Sequence, residues 1–144
     1  MASADFTLRS RPLTLAYQIP AGRTRRFWEG LREGKVYATR CPKCRKTYFP
    51  PAADCPNCLT PEMDWIELSG EAEIEAFTRI ETQPASFQEQ KPYTVAIGRM
   101  KSGVKVLAWL VDAELKDIRV GMKARLTTRV MPDGEPTYVF VPAA

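Results

Sequence analysis

The chain has 144 residues, of which 44% are hydrophobic and 26% are charged, a composition typical of a soluble globular protein of about one domain. The sequence has no unbroken apolar run near the ~18 residues that a membrane-spanning helix requires, and no basic segment followed by an apolar block at its start. A cytoplasmic protein without a membrane partner is therefore predicted. It contains no histidine, which excludes histidine-dependent catalytic triads and the usual nitrogen ligand for metals.

Residues 1–34 are predicted to form an N-terminal arm followed by a short helix. Within the arm, apolar residues alternate with smaller or polar ones at strand spacing, at Leu13, Leu15, Tyr17 and Ile19. An extended conformation is expected. The arm can dock on its own domain, add to a partner protein or remain mobile.

A short helix is predicted over residues 24–32, with Thr24 as its N-cap and Gly34 ending it. Phe27, Trp28 and Leu31 lie on one side of this helix. That side either packs on the next module or presents Phe27 and Trp28 to a ligand or a partner protein.

All four cysteines lie in two Cys-x-x-Cys pairs, Cys41 with Cys44 and Cys55 with Cys58, separated by ten residues. Each pair can form a tight knuckle that points two sulfurs at one ion, and two knuckles complete a tetrahedral four-cysteine site. A filled tetrahedron leaves no open position for a substrate. The spacing therefore predicts a structural zinc ion, held by a zinc ribbon over residues 35–67.

Disulfides, a thioredoxin-like redox pair and an iron site are the alternatives to zinc. A cytosolic setting disfavours disulfides, and turn-rich sequence follows each pair instead of a helix in a βαβ unit. Iron stays open because a rubredoxin-like iron site uses the same four sulfurs. Zinc bound by four thiolates would lower the formal net charge from +4 to about +2, which gives little support for nucleic-acid binding.

Residues 68–144 are predicted to contain five strands. The first covers residues 70–81, and the second and third cover residues 93–100 and 104–111, joined by a hairpin turn. The third is nearly all apolar, so a central position is expected. Alternation in the first strand places Ala72, Ile74, Ala76, Thr78 and Ile80 on one face, and Glu71, Glu73, Glu75, Phe77, Arg79 and Glu81 on the other.

The fourth strand, residues 122–130, carries Lys123, Arg125 and Arg129 as a basic outer stripe, and the fifth covers residues 137–141. Five strands suit a small barrel of the OB type. The predicted fold is therefore mainly β: an N-terminal arm and short helix, a four-cysteine zinc ribbon, and a five-stranded OB-fold barrel over residues 68–144. The polar loop over residues 82–92 is expected to be mobile. A barrel of this size is marginal alone, so metal removal is expected to weaken the whole protein.

Several motifs resemble those of a known family. They are Phe27-Trp28-Glu29-Gly30-Leu31, Arg40-Cys41-Pro42-Lys43-Cys44, Tyr48-Phe49-Pro50-Pro51, Cys55-Pro56-Asn57-Cys58, Trp65, Ser69-Gly70, Lys91-Pro92-Tyr93, Gly121-Met122 and Phe140-Val141-Pro142. From about Arg23 onward the chain is similar to a thiolase-associated, acyl-CoA-binding family. Its members join a helical segment, a rubredoxin-like zinc ribbon and a C-terminal OB-fold. Relatives often have a glycine directly after each knuckle, where this chain has Arg45 and Leu59.

The resemblance implies a non-catalytic companion of a thiolase-type enzyme, in a hetero-oligomer that holds or passes a CoA thioester. It implies that the four cysteines bind the metal, but it assigns no CoA-contacting residue. CoA combines phosphates with a long thin arm, so its binding surface needs a few cations beside apolar or aromatic walls. The candidates for a CoA or partner surface are Phe27, Trp28, Lys43, Arg45, Lys46 and Tyr48, with Phe49 beside them. The alternative is a solvated charged loop with packing aromatics.

Three other functions are alternatives to that of an accessory subunit. A nucleic-acid-binding protein would stack bases on Phe77, Trp109, Tyr138 and Phe140, but the acidic face at Glu71, Glu73 and Glu75 would repel a phosphate backbone. A free-standing enzyme would depend on Asp, Glu, Lys or Tyr, and no carboxylate pair at a convincing spacing stands out, so no catalytic residue is predicted. Electron transfer would require iron at the four sulfurs.

Overall fold

The computed structural model describes residues 6–85 and 91–143. The arm over residues 6–20 belongs to no helix or strand, and every residue in it is exposed. The expected mobile loop lies partly outside the described residues, at 86–90. A 3₁₀ turn, Gly22–Thr24, then leads into α1 (Arg25–Arg32).

The structure confirms the predicted helix and the glycine that ends it. Thr24 occupies the N-cap position, although its hydroxyl lies near Ala21 O, at 3.4 Å, and caps no amide. Gly34 follows the helix with a φ of 82°, a left-handed conformation that glycine adopts without a steric penalty. No helix within residues 6–85 and 91–143 has the length and apolar character that crossing a membrane would need.

The zinc-ribbon region is a small antiparallel sheet. Its strands are β1 (Tyr37–Arg40), β2 (Thr47–Tyr48) and β3 (Asp64–Glu67), in the order β2-β1-β3. Thr39 on β1 is buried, and its hydroxyl bonds both the carbonyl and the amide of Ala52, at 3.0 and 2.9 Å. This pair of bonds fixes the loop between the two cysteine pairs against the sheet.

The barrel is closed by five strands and confirms the predicted OB fold. They are β4 (Gly70–Ile80), β5 (Tyr93–Met100), β6 (Lys105–Leu110), β7 (Lys123–Val130) and β8 (Pro136–Pro142). Their order around the barrel is β4-β5-β6-β8-β7. Neighbouring strands are antiparallel except β6 and β8, which run parallel.

The predicted faces of β4 are correct up to Ile74 and wrong beyond it. A bulge between Ile74 and Ala76 shifts the register with β5, so each later side chain points to the opposite side. Ala76 and Thr78 are therefore exposed, whereas Phe77 packs against the core. A prediction that assumes strict alternation of side chains along the strand cannot include the extra residue of a bulge.

The apolar third strand, β6, has two neighbours, but only its inner face is covered. Val106, Ala108 and Leu110 are buried, while Leu107 on the outer face is 59% exposed. Every strand of a closed barrel has a neighbour at each edge, but only its inner face is covered by the core. An apolar strand in a barrel is therefore not necessarily buried on both faces. An apolar outer surface results.

One hydrophobic core joins the helix, the zinc-ribbon region and the barrel. It joins Phe27 and Leu31 of α1 to Val36 beside the ribbon, and these to Ile74 and Phe140 inside the barrel. Since the helix and ribbon cover apolar surface that the barrel shares, loosening the ribbon is expected to expose part of the barrel core.

Candidate metal centre and adjacent groove

Two equivalent turns bring the four cysteines together. Cys41 directly follows β1, and the amide of Arg45 donates to the carbonyl of Cys41 at 2.9 Å. The second turn repeats this bond, from the amide of Leu59 to the carbonyl of Cys55, at 2.8 Å. Each turn therefore places its two cysteine side chains on the same side of the backbone.

The residues that follow the knuckles adopt the left-handed conformation that a glycine would favour. Arg45 has a φ of 62° and Leu59 a φ of 56°. This conformation costs a residue with a β-carbon roughly 1–2 kcal/mol. The chain therefore keeps the turn geometry at an energetic cost, and the cysteine ligands stay in place.

The geometry of the sulfurs fits a tetrahedral metal ion. All four lie within 4.8 Å of one another, and the Cys44 and Cys55 sulfurs are 3.7 Å apart. Zn–S bonds of ~2.3 Å place the sulfurs of a tetrahedron roughly 3.8 Å apart. The amides of Cys44 and Cys58 lie 3.4 Å from the sulfurs of Cys41 and Cys55. An all-sulfur, closed donor set suits zinc, which would act as a structural cross-link between the two turns.

The surroundings of the sulfurs favour charge at some positions over others. Burial alone would raise the pKa of Cys55, but the Tyr48 hydroxyl and the amides of Cys58 and Asn57 lower it to about 6. The amide of Lys46 lowers the pKa of Cys44. In contrast, hydrogen bonding with Cys44 and burial raise the pKa of Cys58 to about 11. Thiolates this close together repel one another, and a bound divalent metal ion would offset that repulsion.

A groove of about 520 Å³ lies beside the metal centre, between the ribbon and the β5–β6 hairpin. Its walls include the cations Arg40, Arg45 and Lys105 and the aromatic side chains Tyr48 and Phe49. Tyr48 also connects the groove to the metal centre, because its hydroxyl lies 3.5 Å from the Cys55 sulfur. The groove thus joins positive charge to aromatic surface.

The six residues predicted for a CoA or partner surface occupy different places. Arg45 and Tyr48 line the groove, while Lys43 and Lys46 are exposed on the first knuckle. Trp28 is 52% exposed on α1. Phe27 is only 5% exposed and packs edge-on against Phe49, so it supports the groove wall from behind.

Two groove cations, Arg40 and Lys105, were not among the predicted site residues. Arg40 directly precedes the first cysteine pair, and its guanidinium donates to the Thr47 hydroxyl at 3.1 Å. Lys105 begins β6, far along the sequence from the knuckles, and it reaches the groove because the hairpin packs there. No local pattern in the sequence connects these two residues.

Ion pairs on the barrel surface occupy much of the predicted basic stripe. Lys123 binds Glu73 at 2.8 Å, Lys105 binds Glu75 at 2.8 Å, and Arg129 pairs with Asp112. Of the stripe, only Arg125 has no ion pair among the described residues. Ion pairs with acidic side chains elsewhere on the barrel therefore neutralise most of these cations.

The aromatic residues considered for base stacking are also mostly committed to packing. Phe140 is fully buried, and Phe77 and Tyr138 pack against the core. Trp109 stacks on Tyr93, with ring centroids 4.3 Å apart. These contacts leave little of an aromatic platform for single-stranded nucleic acid.

Comparison with known proteins gives the same two modules. Residues 28–64 match the rubredoxin-like zinc ribbon domain of ChsH2, and residues 65–129 match its C-terminal OB-fold domain. A DUF35 domain-containing scaffold protein of Pyrococcus furiosus is 31% identical over 106 residues, covering 72% of this chain and 76% of the relative. The chain belongs to the DUF35 family. The four cysteines lie within the residues that match the zinc ribbon domain.

Two further similarities are to a protein named as an enzyme subunit and to a solved structure that contains a DUF35 protein. A probable enoyl-CoA hydratase alpha subunit of Thermomonospora curvata is 25% identical over 113 residues, which cover 78% of this chain and 35% of the relative. A solved structure of an Ltp2-ChsH2(DUF35) aldolase superposes with a TM-score of 0.72 at 24% identity, covering 84% of this chain and 94% of the other. The superposition confirms the fold.

Proposed function

We propose that this DUF35 protein is a non-catalytic, zinc-containing accessory subunit of a thiolase-type enzyme that helps to bind or channel a CoA thioester. The observation that carries the proposal is the cationic, aromatic groove between the zinc ribbon and the barrel. Membership of a family with members named as scaffold proteins supports an accessory role. The proposed place of action is the cytoplasm.

The groove has the chemistry that CoA would require. The guanidinium groups of Arg40 and Arg45 can bind phosphate oxygens, and Tyr48 and Phe49 offer a wall for the apolar part of the ligand. Lys105 forms an ion pair with Glu75, so the two arginines supply most of the unpaired positive charge in the groove. The groove is open to solvent, which suits a ligand that a second protein covers from the other side.

Catalysis is assigned to the partner because this chain lacks suitable groups. It has no histidine, and its four cysteines form the metal site. The carboxylates on the barrel face, Glu71, Glu73 and Glu75, each pair with a lysine or arginine. A relative named as a probable enoyl-CoA hydratase alpha subunit supports CoA thioesters as the ligand class.

Nucleic-acid binding is the weaker alternative. OB-folds and zinc ribbons both serve that function, but the fold alone does not decide it. Here two of the three cations of the basic stripe form ion pairs, and the candidate stacking residues pack against the core or on another ring. Such a surface favours a small anionic ligand over a phosphate backbone.

The test is to purify the tagged protein from its own cells, with and without nuclease, and identify what stays bound by mass spectrometry. A thiolase-like protein retained in fixed proportion after nuclease treatment is expected. With the purified complex, Arg45→Glu is expected to raise KM for the CoA thioester several-fold without releasing the partner, while Lys116→Glu, outside the groove, leaves KM unchanged. Nucleic acid that is lost with nuclease, and no enzyme, would contradict the proposal.

A further inference from the structure

We propose that the N-terminal arm of one copy adds as a β-strand to the open seam between β6 and β8 of a second copy. The protein would then assemble with itself through exchanged arms. This inference is independent of the metal centre and of the proposed CoA groove.

The seam is a place where the barrel ladder stops early. β6 and β8 pair only at Trp109 with Val139 and at Leu110 with Phe140. The first part of β6, residues 105–108, has no ladder partner on the β8 side within the described residues. Unpaired backbone groups along a strand are a template for another extended segment.

A cavity of about 530 Å³ lies at this seam, and its lining combines apolar and polar side chains. Val95, Leu107, Trp109 and Tyr138 form its apolar part, and Leu107 is 59% exposed. Apolar side chains grouped around one surface cavity offer contacts to another segment. It fits alternate side chains of an added strand.

The arm has the pattern that such a seam requires. Its apolar side chains recur at every second residue, and their exposed fractions are 82% for Leu13, 62% for Leu15, 77% for Tyr17 and 80% for Ile19. Pro12 and Pro20 bound this run and limit it to seven residues, roughly 23 Å when extended. The unpaired part of β6 is roughly 13 Å long, so the run can cover it.

The charges of the arm and of the seam are complementary. Arg9 and Arg11 precede the apolar run, and Asp133 and Glu135 lie at the rim of the cavity. All four side chains are exposed. Attraction between them favours one direction of binding, in which the arginines approach the acidic rim.

The exposure of the arm points to a second copy as the acceptor. In the single chain all residues from Phe6 to Pro20 are exposed, so the arm is not seated on its own barrel. A two-fold exchange covers both arms and both seams with one kind of contact. The arm also lies outside the residues that match the family domains, so the assembly would be a feature of this chain.

The test measures self-association of full-length variants by sedimentation velocity. In the arm, Leu15→Asp with Tyr17→Asp is expected to weaken dimerisation by roughly tenfold or more, because both side chains enter the apolar part of the cavity. The matched control, Phe6→Ser with Leu8→Ser, removes exposed apolar side chains of the arm outside the seven-residue run and retains the dimer. In the seam, Leu107→Asp is expected to weaken dimerisation equally, whereas Val120→Asp, at a similarly exposed site elsewhere, does not.

Mixing the two defective variants separates arm exchange from other modes. The arm variant keeps an intact seam and the Leu107→Asp variant keeps an intact arm, so a 1:1 mixture is expected to form a heterodimer. A wild-type chain that stays monomeric would overturn the proposal. Protection of the arm from hydrogen exchange in such a monomer would show that it binds its own barrel, and protection only in the presence of a partner enzyme would show that it binds that enzyme. A dimer that survives both variants, or a mixture that fails to associate, would also overturn the proposal.

Discussion

Gly98 on β5 lies against the ring of Phe140 on β8, across the interior of the barrel. A β-carbon at position 98 would come within 2.5 Å of Phe140 Cζ, closer than real atoms approach. Phe140 is fully buried, so its ring cannot swing out to solvent. The ring of Phe140 therefore fills the space inside the barrel that a side chain at position 98 would need.

Gly98→Ala is expected to lower the free energy of unfolding by roughly 1–3 kcal/mol, because the added methyl group overpacks the core. Urea denaturation measures the change. Adding Phe140→Leu to Gly98→Ala is expected to recover part of the loss. Gly22→Ala is the control, since nothing lies within 4 Å of its β-carbon. Equal effects of Gly98→Ala and Gly22→Ala would show that the contact is not tight.

The left-handed residue after the second knuckle allows a stabilising substitution. Leu59 has a φ of 56° and is 81% exposed, so its side chain contributes little packing. Leu59→Gly is expected to raise the free energy of unfolding by roughly 0.5 kcal/mol, after the greater freedom of glycine in the unfolded chain is subtracted. Leu59→Val is expected to lower it, because a β-branched residue is strained there. Stabilisation by valine would contradict the account.

Metal removal is expected to destabilise the barrel as well as the ribbon. The core continues from Val36 beside the ribbon to Ile74 and Phe140 inside the barrel. Zinc measured by plasma mass spectrometry is expected at one ion per chain, and its chelation should lower the melting temperature by roughly 10 °C or more. In a Trp28→Phe, Trp65→Phe variant, the near-ultraviolet circular dichroism of the barrel residue Trp109 should be lost in the same transition. An unchanged melting temperature after verified zinc loss would contradict the shared core.

Much of this architecture follows from local features of the sequence. The cysteine pairs define the metal centre because two short turns suffice to orient four sulfurs, whatever the rest of the chain does. The barrel strands are visible in the alternation of their side chains, as in residues 122–130. Both signals are local, and the structure confirms the four-cysteine ribbon region and the five barrel strands.

The remaining features depend on contacts between distant segments. The bulge after Ile74 reverses the later faces of β4, and it is defined only by the register against β5. Lys105 enters the groove beside Arg45 because a hairpin packs on the ribbon. Two of the three cations of the basic stripe form ion pairs with acidic residues elsewhere on the barrel, such as Glu73. No local period in the sequence records these relations.

The ion pair between Asp112 and Arg129 is expected to make stability depend on pH. The hydrogen bond from Arg129 lowers the pKa of Asp112; burial opposes this effect, and the charge of Arg129 adds to it. Because the folded pKa is depressed, the contribution is present above the unfolded value of about 3.9 and is lost as pH falls through the folded value. Asp112→Asn should therefore destabilise the protein at pH 7 more than at pH 3. Arg129→Ala should show the same dependence, and a constant difference across this range would contradict the pairing.

Tyr48 is expected to hold the metal centre in place from outside its ligand set. Its hydroxyl lies 3.5 Å from the Cys55 sulfur, and Cys55 is fully buried, so little solvent can replace that contact. Loss of such outer contacts typically weakens metal binding by roughly 10–100-fold. Tyr48→Phe should accordingly lose zinc to a competing chelator at lower chelator concentrations than the wild type. Tyr17→Phe, at a position that is 77% exposed on the arm, is the matched control. If both variants retain zinc equally well, the Tyr48 hydroxyl contributes packing to the groove wall but does not stabilise the metal site.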